Sequence, residues 1–274
     1  MASAAEIQER PTVIEVSNLV THYDDREILH GINMTIHEGE IMVIMGGSGS
    51  GKTTLLRHLL GLEKATSGSI KLLGQELTTM SDIELYELAK KTGVAFQSGA
   101  LFSSMTVGEN VMLPLVEHTR LDRGTMEIMM RMKLEIMKLA GFEDLTPAEL
   151  SGGMIKRTAF ARAVIMDPTL LFADEPSAGL DPVVSRTVDE LILDLRDAMR
   201  MTIVVVTHEL DSAFRIADRI TVLDKGNILT IGTVDEVKNS PNQRIQNLLN
   251  RRFEEEEIDP DEYLARLTGN EVKH

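Results

Sequence analysis

The segment Gly46-Gly47-Ser48-Gly49-Ser50-Gly51-Lys52-Thr53 constrains this chain more than any other. It fits G-x-x-x-x-G-K-[ST] and follows Ile41 to Met45, a run that is apolar throughout, as a strand buried on both faces requires. Glycines let backbone N–H groups curl around phosphate oxygens, Lys52 reaches terminal phosphates, and the Thr53 hydroxyl suits magnesium. A helix is expected from about Lys52 to Leu60. Two further apolar runs, Leu170 to Ala173 and Ile203 to Val206, read as buried strands separated by a helix from Pro182 to Met199. That alternation predicts an α/β fold with a parallel sheet covered by helices.

Asp174 and Glu175 close the run Leu170-Leu171-Phe172-Ala173, at the carboxyl end of a predicted strand. Alone, such a pair is an ordinary solvated turn. In a sheet that also carries a phosphate loop, Asp174 would hold magnesium, and Glu175 would orient or deprotonate an attacking water.

Composition narrows the partners. An apolar content of 43% supports a sizeable core, while 28 Lys and Arg against 43 Asp and Glu give a net charge of -15. That field repels nucleic acid and anionic membrane surfaces, so no nucleic-acid partner is expected. There are no cysteines, hence no disulfides or thiolate metal sites, and the seven histidines lack paired metal-ligand spacing. No apolar stretch approaches the roughly 18 to 20 residues that cross a bilayer, and Met1 to Pro11 lacks a secretory pattern. A cytoplasmic chain is expected.

Residues 13 to 44 alternate as short strands, with Ile32, Met34 and Ile36 on one face, and predict an antiparallel sheet. From about Thr106 to Met166 no strand is evident, and Met126, Met129, Met130, Met132 and Met137 recur at near-helical spacing. This segment reads as a helical insert. The composition shifts after Ser240, so residues 12–239 are taken as one domain and 240–274 as an extension. In the latter, Ile245, Leu248, Leu249 and Phe253 form one apolar cluster and Tyr263, Leu264 and Leu267 another.

Taken together, the motifs resemble those of the ATP-binding cassette ATPases. Leu150-Ser151-Gly152-Gly153-Met154 is similar to the family's signature, Gln97 after Gly93-Val94-Ala95-Phe96 to its Q-loop, Ser177-Ala178-Gly179-Leu180-Asp181 to its D-loop, and His208 to its switch histidine. The resemblance spans about residues 12 to 238. It implies a P-loop NTPase cassette with a RecA-like parallel core, an antiparallel β subdomain and a helical subdomain over about 98–166. It also implies a Mg2+-dependent ATPase in which Gly46, Gly47, Ser48, Gly49, Ser50, Gly51, Lys52, Thr53 and Thr54 bind ATP. Tyr23 would stack on adenine, or else pack on the amino-terminal sheet. Thr53, Gln97 and Asp174 would surround the metal, Glu175, His208 and Gln97 would serve catalysis, and Asp181 would communicate across a dimer.

Ser151 reads as the N-cap of a helix, and uncapped N–H groups there favour an anion. The resemblance implies that Ser151, Gly152 and Gly153 meet the γ-phosphate held by a second copy of the chain, so ATP closes a head-to-tail dimer. Met154 departs from the family's usual Gln. With Phe96 to Phe102 and Leu180 to Ser185, it resembles the ATPase subunits of Mla-type lipid transporters. This branch implies an integral-membrane permease partner, an MCE lipid-binding protein, a peripheral position on the cytoplasmic face of the bacterial inner membrane, and phospholipid traffic that maintains outer-membrane asymmetry. The permease is expected near Gln97 to Leu115, with self-packing of the insert as the alternative. The extension either packs on its own subunit, crosses the dimer, or receives a small cytoplasmic partner. Transport of another solute, and a nucleic-acid-acting cassette ATPase, remain the competing readings.

Overall fold

The computed structural model describes residues 4–250. The chain divides into two compact units between Asn239 and Ser240. After a short helix α1 (Ala4–Gln8), β1 (Thr12–Tyr23) and β2 (Arg26–His37) form the expected antiparallel hairpin. The sheet is completed by β4 (Ser67–Leu72) and β5 (Gln75–Glu76), in the order β2-β1-β4-β5. Only Ile70 and Leu72 of β4 turn inward, too short an alternation to stand out in sequence.

The second sheet contains β3 (Ile41–Met45), β6 (Thr92–Ala95), β7 (Leu170–Asp174), β8 (Thr202–Thr207), β9 (Arg219–Asp224) and β10 (Asn227–Gly232), in the order β10-β9-β3-β8-β7-β6. All its pairings are parallel except β9–β10, an antiparallel hairpin. Met42, Ile44, Phe172, Val204 and Val206 share one core with the antiparallel sheet and with Leu55, Leu56 and Leu59 of α2 (Lys52–Leu59). The alternate residues Ile41, Val43, Ile203 and Val205 are equally buried, on the side where α7 (Pro182–Met199) packs on β8 and α8 (Leu210–Ile216) on β3. Burial on both faces accounts for the continuous apolar runs.

The stretch from Thr106 to Met166 is strand-free, as expected. It holds α4 (Val107–His118), α5 (Arg123–Ile136) and α6 (Gly152–Ala163), preceded by α3 (Asp82–Ala89). Within α5 and just after it, Met130 and Met137 are buried whereas Met132 is exposed. A last helix of the first unit, α9 (Val234–Lys238), follows β10. In the second unit, α10 (Gln243–Leu249) is capped by Asn242 and includes Ile245, Leu248 and Leu249. Phe253 and the cluster at Tyr263, Leu264 and Leu267 lie outside the described residues.

Candidate nucleotide-binding and catalytic site

Register places the functional loops side by side. Met45 pairs with Thr207, Asp174 with Val206, and Ala95 with Ala173, so the phosphate loop, His208, the acidic pair and Gln97 all leave the carboxyl edge of one parallel sheet. The loop and the acidic strand are not immediate neighbours, because β8 runs between β3 and β7.

The phosphate loop bends through Gly49 (φ 73°) and Gly51 (φ 100°), and Gly51 begins α2 with no side-chain cap. The helix's first N–H groups are thus left for an anion. At Gly46 a Cβ would lie 2.1 Å from the Leu223 carbonyl oxygen, and the Gly226 N–H donates to the Ser50 carbonyl at 3.0 Å. The β9–β10 hairpin therefore braces the loop from behind. Ser48, Gly49 and Thr53 face solvent, Gly47 and Thr54 are half-buried, and Lys52 donates to the carbonyls of Gly46 (2.8 Å) and Gly47 (2.9 Å). Burial lowers the Lys52 pKa, opposed by the charges of Glu175 and Asp174.

Glu175 adopts φ 46°, a conformation uncommon outside glycine, and its backbone is held at both ends. Its N–H donates to the Val206 carbonyl at 2.8 Å, and its carbonyl accepts from Lys156 Nζ at 2.8 Å. Its buried carboxylate accepts from Thr207 Oγ1 at 3.0 Å and from His208 Nδ1 at 2.7 Å. Burial and the neighbouring Glu175 charge raise the pKa of Asp174, opposed by Lys156 and Lys52.

The remaining expected residues are placed as follows. Gln97 is exposed just after β6. Tyr23 ends β1 with 43% of its surface exposed, and its hydroxyl donates to Glu63, which also accepts from Arg57 of α2. Ser151 caps α6, its Oγ accepting from the Met154 N–H at 3.3 Å, and both Ser151 and Gly152 are exposed. Asp181 caps α7 through the N–H groups of Val183 and Val184. Among the described residues no hydrogen bond or ion pair joins Ser151 to Gly153 with Gly46 to Thr54. Lys156, Glu63 and the β9–β10 hairpin were not anticipated, and only the hairpin left a local signal, the turn Asp224-Lys225-Gly226-Asn227.

The donors present suit a phosphate-bound magnesium. Among the described residues, no group of three or more His, Cys, Asp or Glu side chains could hold a metal. Mg2+ typically takes one or two protein ligands and completes its shell with phosphate and water. Thr53, Asp174 and Gln97 offer the hard oxygens required. Ser50 Oγ is buried without a hydrogen-bond partner on the side of the loop that faces Leu223, so it belongs to the packing behind the loop.

Beside the edge strand β6, a cavity of about 420 Å³ is lined by Tyr86, Phe96, Phe102, Leu113, Pro114 and His118. Tyr86 and Phe102 are half exposed.

A glycine-rich loop between a buried strand and an uncapped helix, with an acidic pair at the same sheet edge, defines a P-loop nucleotide hydrolase. The ABC transporter family profile matches residues 29–178, and the chain belongs to that family of ATP-binding cassette ATPases. It is 39% identical over 237 residues to the intermembrane phospholipid transport system ATP-binding protein MlaF of Haemophilus influenzae, covering 86% of this chain and 90% of that one. It is also 36% identical over 239 residues to the Mycobacterium tuberculosis protein "Probable ribonucleotide transport ATP-binding protein mkl", covering 87% and 67%. The dimeric ATP-binding cassette MJ0796, solved in a post-hydrolysis state with ADP and Pi, matches with a TM-score of 0.75 at 30% identity, covering 81% of this chain and 98% of that one. The protein is accordingly an ATPase of the cassette fold, acting on ATP with magnesium. Among the described residues, no helix is long and apolar enough to cross a membrane.

Proposed function

We propose that two copies of this chain sandwich ATP between the phosphate loop of one and the Ser151–Gly153 segment of the other, and that the closing motion drives a membrane permease. The observation that carries this reading is the exposed amino terminus of α6, which presents anion-seeking N–H groups yet, among the described residues, has no bond to the phosphate loop of its own chain. Within each site Lys52 and the loop N–H groups hold the terminal phosphates, and Tyr23 offers its open ring to adenine. Thr53, Asp174 and Gln97 would hold the magnesium, which when bound neutralises phosphate charge. Glu175 accepts the proton of the attacking water, fixed by Thr207 and His208. Asp181, which caps α7, would communicate with the partner copy.

The groove around Phe96, Phe102 and Leu113 supports a permease contact at Gln97 to Leu115, because its half-exposed aromatic rim suits an apolar helix. The similarity to MlaF over most of the chain supports phospholipid as the cargo, an MCE lipid-binding protein in the complex, and a peripheral place on the cytoplasmic face of the inner membrane. A role for the extension, residues 240–274, in holding a small cytoplasmic partner belongs to the same reading, and its residues 251–274 lie outside the described residues. The mycobacterial relative supports a second reading, in which the same engine serves another solute.

Two measurements test the proposal. Glu175→Gln should run as a dimer on size exclusion with ATP and as a monomer without it; a monomer in both conditions would sink the composite site. Mass spectrometry of lipids co-purifying with the assembled transporter should find phospholipid, and its absence with another solute bound would favour the second reading.

A further inference from the structure

We propose that Lys156 is a positioning residue that ties the signature helix to the two catalytic loops of its own chain. Through it, contact of Ser151–Gly153 with the partner's nucleotide would set the placement of Gln97 and Glu175. The inference rests on the composite-site reading above.

Lys156 sits five residues beyond the N-cap Ser151, about one and a half helical turns into α6. It is buried, and its ammonium spends its hydrogen bonds on backbone: it donates to the carbonyl of Gln97 and, at 2.8 Å, to the carbonyl of Glu175. Those carbonyls belong to loops leaving adjacent strands, β6 and β7. One charged group therefore joins three segments: α6, the loop after β6 and the loop after β7. No other side chain of α6 bonds to Glu175 among the described residues.

The same helix face carries the rest of the Q-loop. Arg162 donates to the carbonyls of Gly99 (2.8 Å) and Ala100 (2.7 Å), both residues in left-handed conformation. A Cβ on Gly99 would lie 2.8 Å from Ile155 Cγ2, so only glycine lets the loop lie this close to the helix. Ile155, Lys156, Ala159 and Arg162 fall at i, i+1, i+4 and i+7, one stripe of a helix. Residues Gln97 to Ala100 thus ride on α6. Displacement of α6 moves the Q-loop with it, and Lys156 alone extends that movement to the backbone of the base. A purely structural brace would give stability without linking the two sites.

The test is ATP turnover against ATP concentration for wild type, Lys156→Met and Lys156→Arg, together with nucleotide binding by the monomer. In Lys156→Met the maximal rate should fall roughly tenfold or more and the Hill coefficient should drop from near two toward one, with monomer affinity held within about twofold. Lys156→Arg, which keeps charged donors, should recover part of both. Should the methionine variant fail to fold, Lys156→Gln carries the same comparison. Wild-type rate and cooperativity in a folded methionine or glutamine variant would overturn the inference, as would an arginine variant no better than methionine. The Glu175→Gln dimer assay separates the two levels. If that protein stays monomeric with ATP, the composite site and this inference fall together; if it dimerises while the Lys156 variants behave as wild type, only the inference falls.

Discussion

Nδ1 of His208 lies 2.7 Å from Oε1 of Glu175, and Thr207 holds the other carboxylate oxygen, so one strand end grips both oxygens of the proposed base. Glu175→Gln keeps the shape and removes the basicity. Its turnover should fall roughly 10²- to 10⁴-fold with ATP binding retained. His208→Ala leaves Thr207 in place and should cost less. Steady-state phosphate release by both variants checks the order, and a larger loss in His208→Ala would reassign the base.

Gly153 answers a packing demand as well as an electrostatic one. A Cβ there would lie 2.5 Å from Val184 Cγ1 on α7, closer than real Cβ contacts allow, whereas at Gly152 the nearest atom is Leu180 Cδ2 at 3.3 Å. Gly153→Ala therefore requires either Val184, a β-branched side chain stiff at χ1, or the start of α6 to shift, while Gly152→Ala is absorbed by a movable leucine. In the Glu175→Gln background, ATP-induced dimerisation should be lost in Gly153→Ala and weakened in Gly152→Ala. Binding of ATP to the monomer should be unchanged in both, measured by fluorescence titration.

Legibility in the sequence followed unbroken apolar composition, which burial alone does not guarantee: β9 is as buried as β3, yet Arg219 and Thr221 interrupt its apolar run. Strands β3, β7 and β8 are covered on both faces and so appear as unbroken apolar runs, and α7 is bounded by its own Asp181-Pro182 start. Strand β6 was missed because Thr92-Gly93-Val94-Ala95 contains little β-forming bulk, and Gly93 is there because a Cβ would strike the Ala163 carbonyl at 2.4 Å. The phosphate loop stood out because cradling phosphate fixes the spacing of its glycines, lysine and threonine. Glu63 and Lys156 did not, since each acts through partners 40 and 59 residues away, Tyr23 and Gln97.

At the opposite end of the central sheet, Glu40 is fully buried and accepts from the His37 N–H at 2.7 Å and from Arg219 at 3.3 Å. Burial raises the Glu40 pKa, and those two partners oppose it. Arg219→Met would strand the carboxylate and should destabilise the fold by about 3 to 5 kcal/mol. Glu40→Gln combined with Arg219→Met should cost less than Arg219→Met alone. Urea denaturation of the three proteins decides it; a single variant as stable as wild type would show that the pair contributes nothing.

Asp174 supplies the pH prediction. Its carboxyl pKa is raised above the ordinary 3.8 by burial and by the charge of Glu175. The native state therefore keeps this proton where the unfolded chain has released it. The stability it contributes is complete below pH 3.8 and is lost as pH rises through the elevated native value. At neutral pH the ionised group strains the nucleotide-free fold, so Asp174→Asn should melt higher than wild type, with a gap that widens from acid toward neutral pH. Magnesium with nucleotide should close the gap by stabilising wild type alone, because the metal favours the charged carboxylate that asparagine lacks. Thermal melts across that range, with and without the metal, test both halves. A wild type that is the more stable protein at neutral pH without metal would contradict the assigned electrostatics, and an equal metal response in Asp174→Asn would remove Asp174 from the metal site.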